Sequence, residues 1–148
     1  MPELNIVEIQ DAILEHLDSS LPQRVVEQSI PDSETVLRDS RGNIQNYVAI
    51  QFGDLQVKYR GQGFAGVRND DYELPVYVQA ISPDPRTARV IAGSKVLSSL
   101  LGMKQDWTGQ IRKRPGGGMW PIISSNQATE AYVFPVSFGV TVQLTEVP

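Results

Sequence analysis

The sequence predicts an α+β domain in which two main helices pack on a mixed, mostly antiparallel sheet. Two segments, one near the N-terminus and one in the centre of the chain, have the apolar spacing of amphipathic helices. Most of the remaining apolar segments are short and punctuated by turn residues, as strands are. The segment 131–144, AYVFPVSFGVTVQL, alternates apolar and other residues most clearly. We expect one domain spanning residues 1–148.

The composition of the chain excludes several classes of protein. Of its 148 residues, 41% are hydrophobic and 20% are charged, which is typical of a globular domain. A net charge of −4 does not favour nucleic-acid binding by the whole domain. Without cysteine there is no disulfide, thiolate metal site or cysteine nucleophile. We expect no signal peptide, and no apolar run approaches the length of about 18 residues that spans a membrane.

The first predicted helix begins near Asn5, which can cap it, with Glu8 three residues later in a capping-box arrangement. Apolar side chains recur on one face, and acidic side chains lie mostly opposite. Pro22 ends the helix. His16 is the only histidine, and no serine or cysteine nucleophile signature accompanies it. We therefore interpret His16 as a structural residue.

Short strands are predicted in the next part of the chain. Residues 23–30 form one, and Tyr47–Phe52 and Leu55–Tyr59 form two more that can pair as a hairpin. Residues 31–46 between them are polar and rich in turn-forming residues, with a tight turn at 41–43.

Residues 60–73, RGQGFAGVRNDDYE, are predicted to form a long polar loop. The loop contains Gly61–Gly66, which matches the G-x-G-x-x-G pattern of dinucleotide-binding sites. In those sites the glycines join a strand to a helix whose N-terminus receives the pyrophosphate. Here acidic residues and another strand follow, so we expect no nucleotide and no other cofactor.

The clearest unit is a strand from Leu74 that leads through a short turn into the central helix. The strand is apolar at nearly every position, which predicts a central place in the sheet. Asp84 or Ser82 can cap the helix, Pro85 suits its first turn, and Gly102 ends it.

The predicted buried stripe of the central helix contains five aliphatic residues. They are Val90, Ile91, Leu97, Leu100 and Leu101. Gly93 and Ser94 lie within the stripe, and their small size lets the backbone approach a neighbouring surface closely.

The C-terminal third is predicted to form strands. Residues 106–113 and 119–124 are extended and are joined by the RPGGG turn. The last strand has one apolar face, and Pro135 and Gly139 on its other face indicate a bend, a bulge or an edge position.

No set of residues is typical of catalysis. The carboxylates are dispersed and one histidine does not form a metal site, so we expect neither an enzyme nor a metal protein. The basic run 112–114 can meet a phosphate backbone or an acidic partner, or it is simply a solvated hairpin tip. The candidate interaction residues are Arg60, Arg68, Asp70, Asp71, Glu73, Arg112, Lys113 and Arg114.

The order of these segments resembles that of phage tail terminator and related tail-completion proteins. The segments that carry the resemblance are NIVEIQDAILEHL followed by SSLPQRV, then PVYVQAIS, TARVIAGSKVLSSLLG and FPVSFGVTVQL. The resemblance covers most of the chain and is one of order, length and texture. It implies a ring, usually a hexamer, that caps the tail tube, ends its polymerisation and offers a surface to the head connector.

The partners implied by the resemblance are further copies of the chain, the major tail-tube protein and the head–tail connector protein. The implied location is the head–tail junction of the virion, after assembly in the bacterial cytoplasm. We expect no membrane association and no sequence-specific nucleic-acid binding, with DNA passing through the ring. Two alternatives remain at this point, which are a head-completion or connector protein and a small ligand-binding domain or enzyme that uses the Gly61 loop.

Overall fold

A layer of helices covers one face of a mixed β-sheet. The computed structural model describes residues 6–62, 68–103, 111–114 and 118–146, and in these residues two helices pack on a seven-stranded sheet. Side chains are described in the same ranges, except in 57–62, 68–71 and 142–146. Only β1 and β2 pair in parallel among the described strands. The predicted α+β fold with a mostly antiparallel sheet is therefore confirmed.

The elements follow one another in the predicted general order. They are α1 (Ile6–Ser20), β1 (Arg24–Glu27), β2 (Tyr47–Phe52), β3 (Gln56–Gln62), β4 (Arg68–Ser82), α2 (85–101), β5 (Ile111–Arg114), β6 (Trp120–Ile123) and β7 (Thr129–Glu146). The main path across the sheet is β1-β2-β4-β7-β5, with β3 beside β4 and β6 beside β7.

Two long antiparallel strands, β4 and β7, form the centre of the sheet. They stay in one register from Arg68 opposite Glu146 to Ser82 opposite Tyr132. The predicted apolar face of β7 is confirmed, because Val136, Phe138 and Val140 are all buried under the helices. Successive strand residues point to opposite faces. The other residues of β7 therefore lie on the sheet face that the helices do not cover, which we call the second face.

The predicted hairpin between Tyr47–Phe52 and Leu55–Tyr59 is wrong. Strands β2 and β3 do not pair with each other but run consecutively along the same side of β4. The interruption lies opposite Pro75, whose carbonyl oxygen accepts a hydrogen bond from the Gly53 N–H at 2.8 Å. In a strand, the carbonyl and the N–H position of one residue face the same neighbour. The N–H group that Pro75 lacks would therefore point toward the β2 side. Pro75 cannot donate a hydrogen bond on that side, and this is where β2 stops.

The other side of the sheet repeats this arrangement. Strands β5 and β6 run consecutively along β7, where Arg114 pairs with Ser137 and Trp120 pairs with Val133. Pro135 lies opposite the interruption. The alternative that the basic run 112–114 is a hairpin tip is therefore wrong, because β5 and β6 pair along the same side of β7 and not with each other. Residues 115–117 of the predicted RPGGG turn lie outside the described residues.

The predicted long loop at 60–73 is also mostly wrong. Residues 60–62 end β3 and residues 68–73 begin β4, and the two strands pair antiparallel. Residues 63–67, which include most of the glycine motif, lie outside the described residues. Downstream of the motif the chain enters β4 rather than a helix, so the strand–helix junction of a dinucleotide site is missing from the described residues around it.

The helix-covered face contains the main core. Helix α1 contributes Ile9, Ile13 and Leu17, and its predicted cap Asn5 lies outside the described residues. A second core lies on the second face beneath residues 31–46, whose predicted tight turn has Gly42 at a φ of 83°. Its buried members are Val36, Tyr47, Ala49, Ile81, Ile122, Ala131 and Val133.

The buried stripe of α2 differs from the prediction. Val90 is 47% exposed and Leu101 is 50% exposed. Gly93 and Ser94 are exposed as well, and nothing lies within 4 Å of a Cβ placed on Gly93. Leu97 is partly buried, and the fully buried residues are Ala88, Ile91, Ala92, Val96 and Leu100.

A π-helical segment at Ile91–Val96 explains the different stripe. An α-helix has about 3.6 residues per turn, whereas π-helical hydrogen bonds enclose one more residue. Residues after the segment are therefore rotated relative to an uninterrupted helix. The rotation places Leu100 in the core and Leu101 outside. Asp84 caps the helix, as predicted, by accepting hydrogen bonds from the Thr87 and Arg86 N–H groups at 3.3 and 3.4 Å.

The buried hydroxyl of Tyr47 ties residues 31–46 to the sheet. It accepts a hydrogen bond from the Leu37 N–H at 3.3 Å and donates one to Gln28 Oε1 at 3.2 Å, and burial raises its pKa. We expect Tyr47→Phe to lower the free energy of unfolding by about 1 kcal/mol, because both partners lose a hydrogen bond. Chemical denaturation measures the change, and Tyr77→Phe at a partly exposed tyrosine is the control. Equal stability of Tyr47→Phe and the unmodified chain would contradict this role.

Candidate interaction surface

Three of the predicted interaction residues meet on the second face of the sheet. The Glu73 carboxylate lies between two guanidinium groups, with Oε1 at 3.2 Å from Arg114 Nε and Oε2 at 3.6 Å from Arg112 Nη2. Glu73 lies on β4 and both arginines lie on β5, so the cluster crosses β7. The arginines are close together because Arg112 and Arg114 are two positions apart on one strand, and such residues share a face.

The absence of a side chain at Gly139 provides the space for this cluster. Gly139 pairs with Arg112 on one side and with Pro75 on the other. A Cβ at this position would lie 2.4 Å from Glu73 Oε1 and 2.6 Å from Glu73 Cδ. The Glu73 side chain therefore lies across Gly139, and any larger residue there would displace the carboxylate.

The cluster has an excess of positive charge and is exposed on its arginine side. The Arg112 side chain is 54% exposed and that of Glu73 only 14%. An isolated ion pair at such a surface contributes little to stability, typically about 0–1 kcal/mol. Its more important effect is to hold two guanidinium groups at a defined place on the surface, where their remaining N–H donors can reach an anionic partner.

Lys113, another predicted interaction residue, does not join this cluster. Lys113 is exposed and lies on the opposite face of β5, in register with Phe138. Arg60, Arg68, Asp70 and Asp71 lie in β3 and β4, and Arg60 pairs with Asp70 in the backbone register. Their side chains lie outside what the structure describes. At Glu73, an acidic candidate is paired with two basic candidates of the same chain.

A second charged cluster, which the sequence did not indicate, attaches residues 31–46 to β7. Glu130 Oε2 accepts hydrogen bonds from Ser33 Oγ at 2.7 Å and from Arg38 Nη2 at 2.6 Å. The same guanidinium donates to the Ser33 and Gly42 carbonyl oxygens. The hydrogen bond from Ser33, and then the one from Arg38, lowers the pKa of the Glu130 carboxyl. No local spacing signals this contact, since the partners lie far apart in the chain.

The lowered pKa of Glu130 gives a pH-dependent stability with a defined sign. A carboxyl whose pKa is lower in the folded state stabilises the fold above its unfolded value, and this contribution disappears as the pH falls through the folded value. We expect Glu130→Gln to be less stable than the unmodified chain at pH 7, with the difference vanishing in acid, well below about pH 4. Denaturant titrations at several pH values measure it. A difference that is constant with pH would exclude this ion pair as its cause.

The only histidine makes a contact between the helices. His16 Nε2 lies 2.8 Å from the Ser99 carbonyl oxygen, and because a carbonyl only accepts, the ring nitrogen donates. Ser20 Oγ also contacts Ser99 Oγ. These bonds join α1 to the C-terminal turn of α2 and support the interpretation of His16 as a structural residue.

Two other features are absent from the described ranges 6–62, 68–103, 111–114 and 118–146. Among the side chains that the structure describes there, no group of three or more His, Asp or Glu is placed to hold a metal ion. No helix in these ranges is long and apolar enough to cross a membrane. The described part of the chain does expose several large apolar side chains, and these are Val7, Ile30, Val90, Leu101 and Ile123.

No protein family model matches the chain. No curated protein matches it either.

Proposed function

We propose that this chain is the subunit of a ring that caps the tail tube of a bacteriophage. The ring ends tube polymerisation and presents its other side to the head–tail connector, with DNA passing through its centre. The number of subunits expected from the resemblance is six. The chain acts through its surfaces and is not an enzyme.

The order of elements is the observation that carries this proposal. The tail-terminator resemblance implies a small α+β domain with a leading helix, a central strand–helix unit and closing strands. The described residues follow this order in α1, then β4 with α2, and finally β7. A subunit of this kind needs a rigid centre, which the paired β4 and β7 provide, and exposed charged surfaces for its partners, such as the Arg112 side of the Glu73 cluster.

Electron microscopy of particles assembled without the chain tests the proposal. A phage that lacks a tail terminator is expected to produce tails of abnormal, extended length, because nothing stops the addition of tube subunits. Filled heads beside unattached tails of normal length would instead indicate a head-completion or connector protein. Supplying the chain from a plasmid should restore normal tails, and a failure to do so would contradict the proposal as well.

A further inference from the structure

The outer face of α1 carries a row of acidic side chains. The core face of the helix is formed by Ile9, Ile13 and Leu17. Four exposed acidic residues lie on the opposite side, spaced three or four positions apart so that they share one face. They are Glu8, Asp11, Glu15 and Asp18. We call this row the acidic face.

Helix α2, which forms the rest of the helix layer, and the neighbouring strand β5 are basic. Helix α2 contains no acidic residue, and its basic side chains are exposed. Its C-terminal turn contacts β5, on which the exposed Lys113 lies on the same face of the sheet as the helices. Together these residues form what we call the basic surface. They are Arg86, Arg89, Lys95 and Lys113.

The two charged surfaces lie on different parts of the helix layer. Helix α1 packs on β1, at one end of the strand order, and against the C-terminal turn of α2, whereas the rest of α2 packs on β4 and β7, and Lys113 lies on β5 at the other end. One subunit therefore has an acidic side and a basic side. Two copies related by a rotation can place the acidic side of one against the basic side of the next. Such a contact uses different surfaces on the two partners, so it can be repeated until a ring closes.

We propose that neighbouring copies of this chain associate by docking the acidic face of α1 on the basic surface of the next copy. This inference rests on the proposed ring and names the surfaces that form it. Apolar side chains accompany both partners, since Val7 is 60% exposed on α1 and Leu101 is 50% exposed beside β5. The charges select the partner and its orientation, and the apolar side chains exclude water from the centre of the contact.

The charged contact makes ring formation sensitive to salt. The charges are exposed, and the distance over which they act shrinks to about 3 Å at 1 M salt. We expect the ring to form at lower subunit concentrations in dilute buffer than in about 0.5 M sodium chloride. The second face and its Glu73 cluster remain available for other partners in this arrangement.

Charge reversal on one side at a time tests the contact. The first variant, Asp11→Lys with Glu15→Lys, removes the net negative charge of the acidic face, because Glu8 and Asp18 then balance the two lysines. The second variant, Lys95→Glu with Lys113→Glu, removes the net positive charge of the basic surface in the same way and leaves the Glu73 cluster intact. Each variant alone should need about tenfold or more higher concentration to assemble, as measured by light scattering. An equal mixture should form mixed dimers, because the unmodified acidic face of the second variant still fits the unmodified basic surface of the first.

Two controls separate this result from a general effect of charge or of misfolding. Glu34→Lys with Asp54→Lys changes the net charge by the same amount as the first variant, at exposed positions outside both surfaces, and should leave the ring intact. Circular dichroism of each variant should match the unmodified chain. Formation of the mixed dimer also shows that both variants are folded, because misfolded subunits would not dock on each other.

The outcomes distinguish the contact from the proposed function. A ring that forms equally well in both variants overturns the proposed contact and leaves the ring itself standing. A ring that follows the charge pattern, together with normal tails in phage lacking the chain, supports the contact and overturns the tail-terminator function. An unmodified chain that stays monomeric in dilute buffer overturns both. Loss of tail-tube binding by the first variant while its ring persists would assign the acidic face to that partner and overturn the contact between copies.

Discussion

Replacing Phe138 with alanine is expected to lower the free energy of unfolding by about 3–5 kcal/mol. Phe138 is fully buried on the apolar face of β7, opposite Val76 of β4 and Lys113 of β5. Removing its ring would leave a cavity between the central strands and α2, and the long β4–β7 pairing limits how far the backbone can move to fill it. This is the largest single effect that we expect in the chain.

Chemical denaturation of Phe138→Ala measures the loss. Ser137→Ala is the matched control, because Ser137 is the preceding residue of the same strand and lies on the partly exposed second face. The control should change the free energy of unfolding by about 0.5 kcal/mol or less. Similar losses in the two variants would mean that Phe138 does not face the core and Ser137 the second face.

Leu100→Ala is expected to cost about 2–5 kcal/mol, whereas Leu101→Ala should cost about 0.5 kcal/mol or less. The two leucines are adjacent, yet Leu100 is 1% exposed and Leu101 is 50% exposed. The difference arises from the π-helical segment, which rotates the last turn of α2 relative to an uninterrupted helix.

The two variants test directly which side of the last turn of α2 faces the core, since both remove the same atoms from the same turn. Denaturation midpoints and slopes, measured in parallel, give the two free energies. Equal losses at Leu100 and Leu101 would correspond to the stripe predicted from regular α-helical spacing and would contradict the π-helical segment.

Long periodic segments could be predicted from the sequence, whereas the pairing of the strands could not. The alternation in β7 and the apolar spacing in α1 are local properties, and both predicted the correct buried face. The pairing of β2 and β3 with β4 depends on residues distant in sequence. Pro75, which lies opposite the interruption between β2 and β3, is too far along the chain to belong to the local sequence pattern around these strands. The π-helical segment was missed for a different reason, since propensities do not encode an extra residue in one turn.

The candidate interaction surface was predicted only in part, for related reasons. Arg112 and Arg114 were recognised as a basic run, but their pairing with Glu73 depends on the β4–β7–β5 register and on the missing side chain of Gly139. The contact of Arg38 with Glu130 gave no signal at all, because a single arginine and a single glutamate are ordinary surface residues until the fold brings them together. Tertiary placement, and not residue type, defines both clusters.

The molar mass of the purified chain in solution tests the ring most directly. Light scattering, with and without the tail-tube protein, should give a discrete multiple of the 16.4 kDa subunit mass, and negative-stain images of that species should show closed rings with a central opening. A mass of one subunit at every concentration, even with the tail-tube protein present, would contradict the ring.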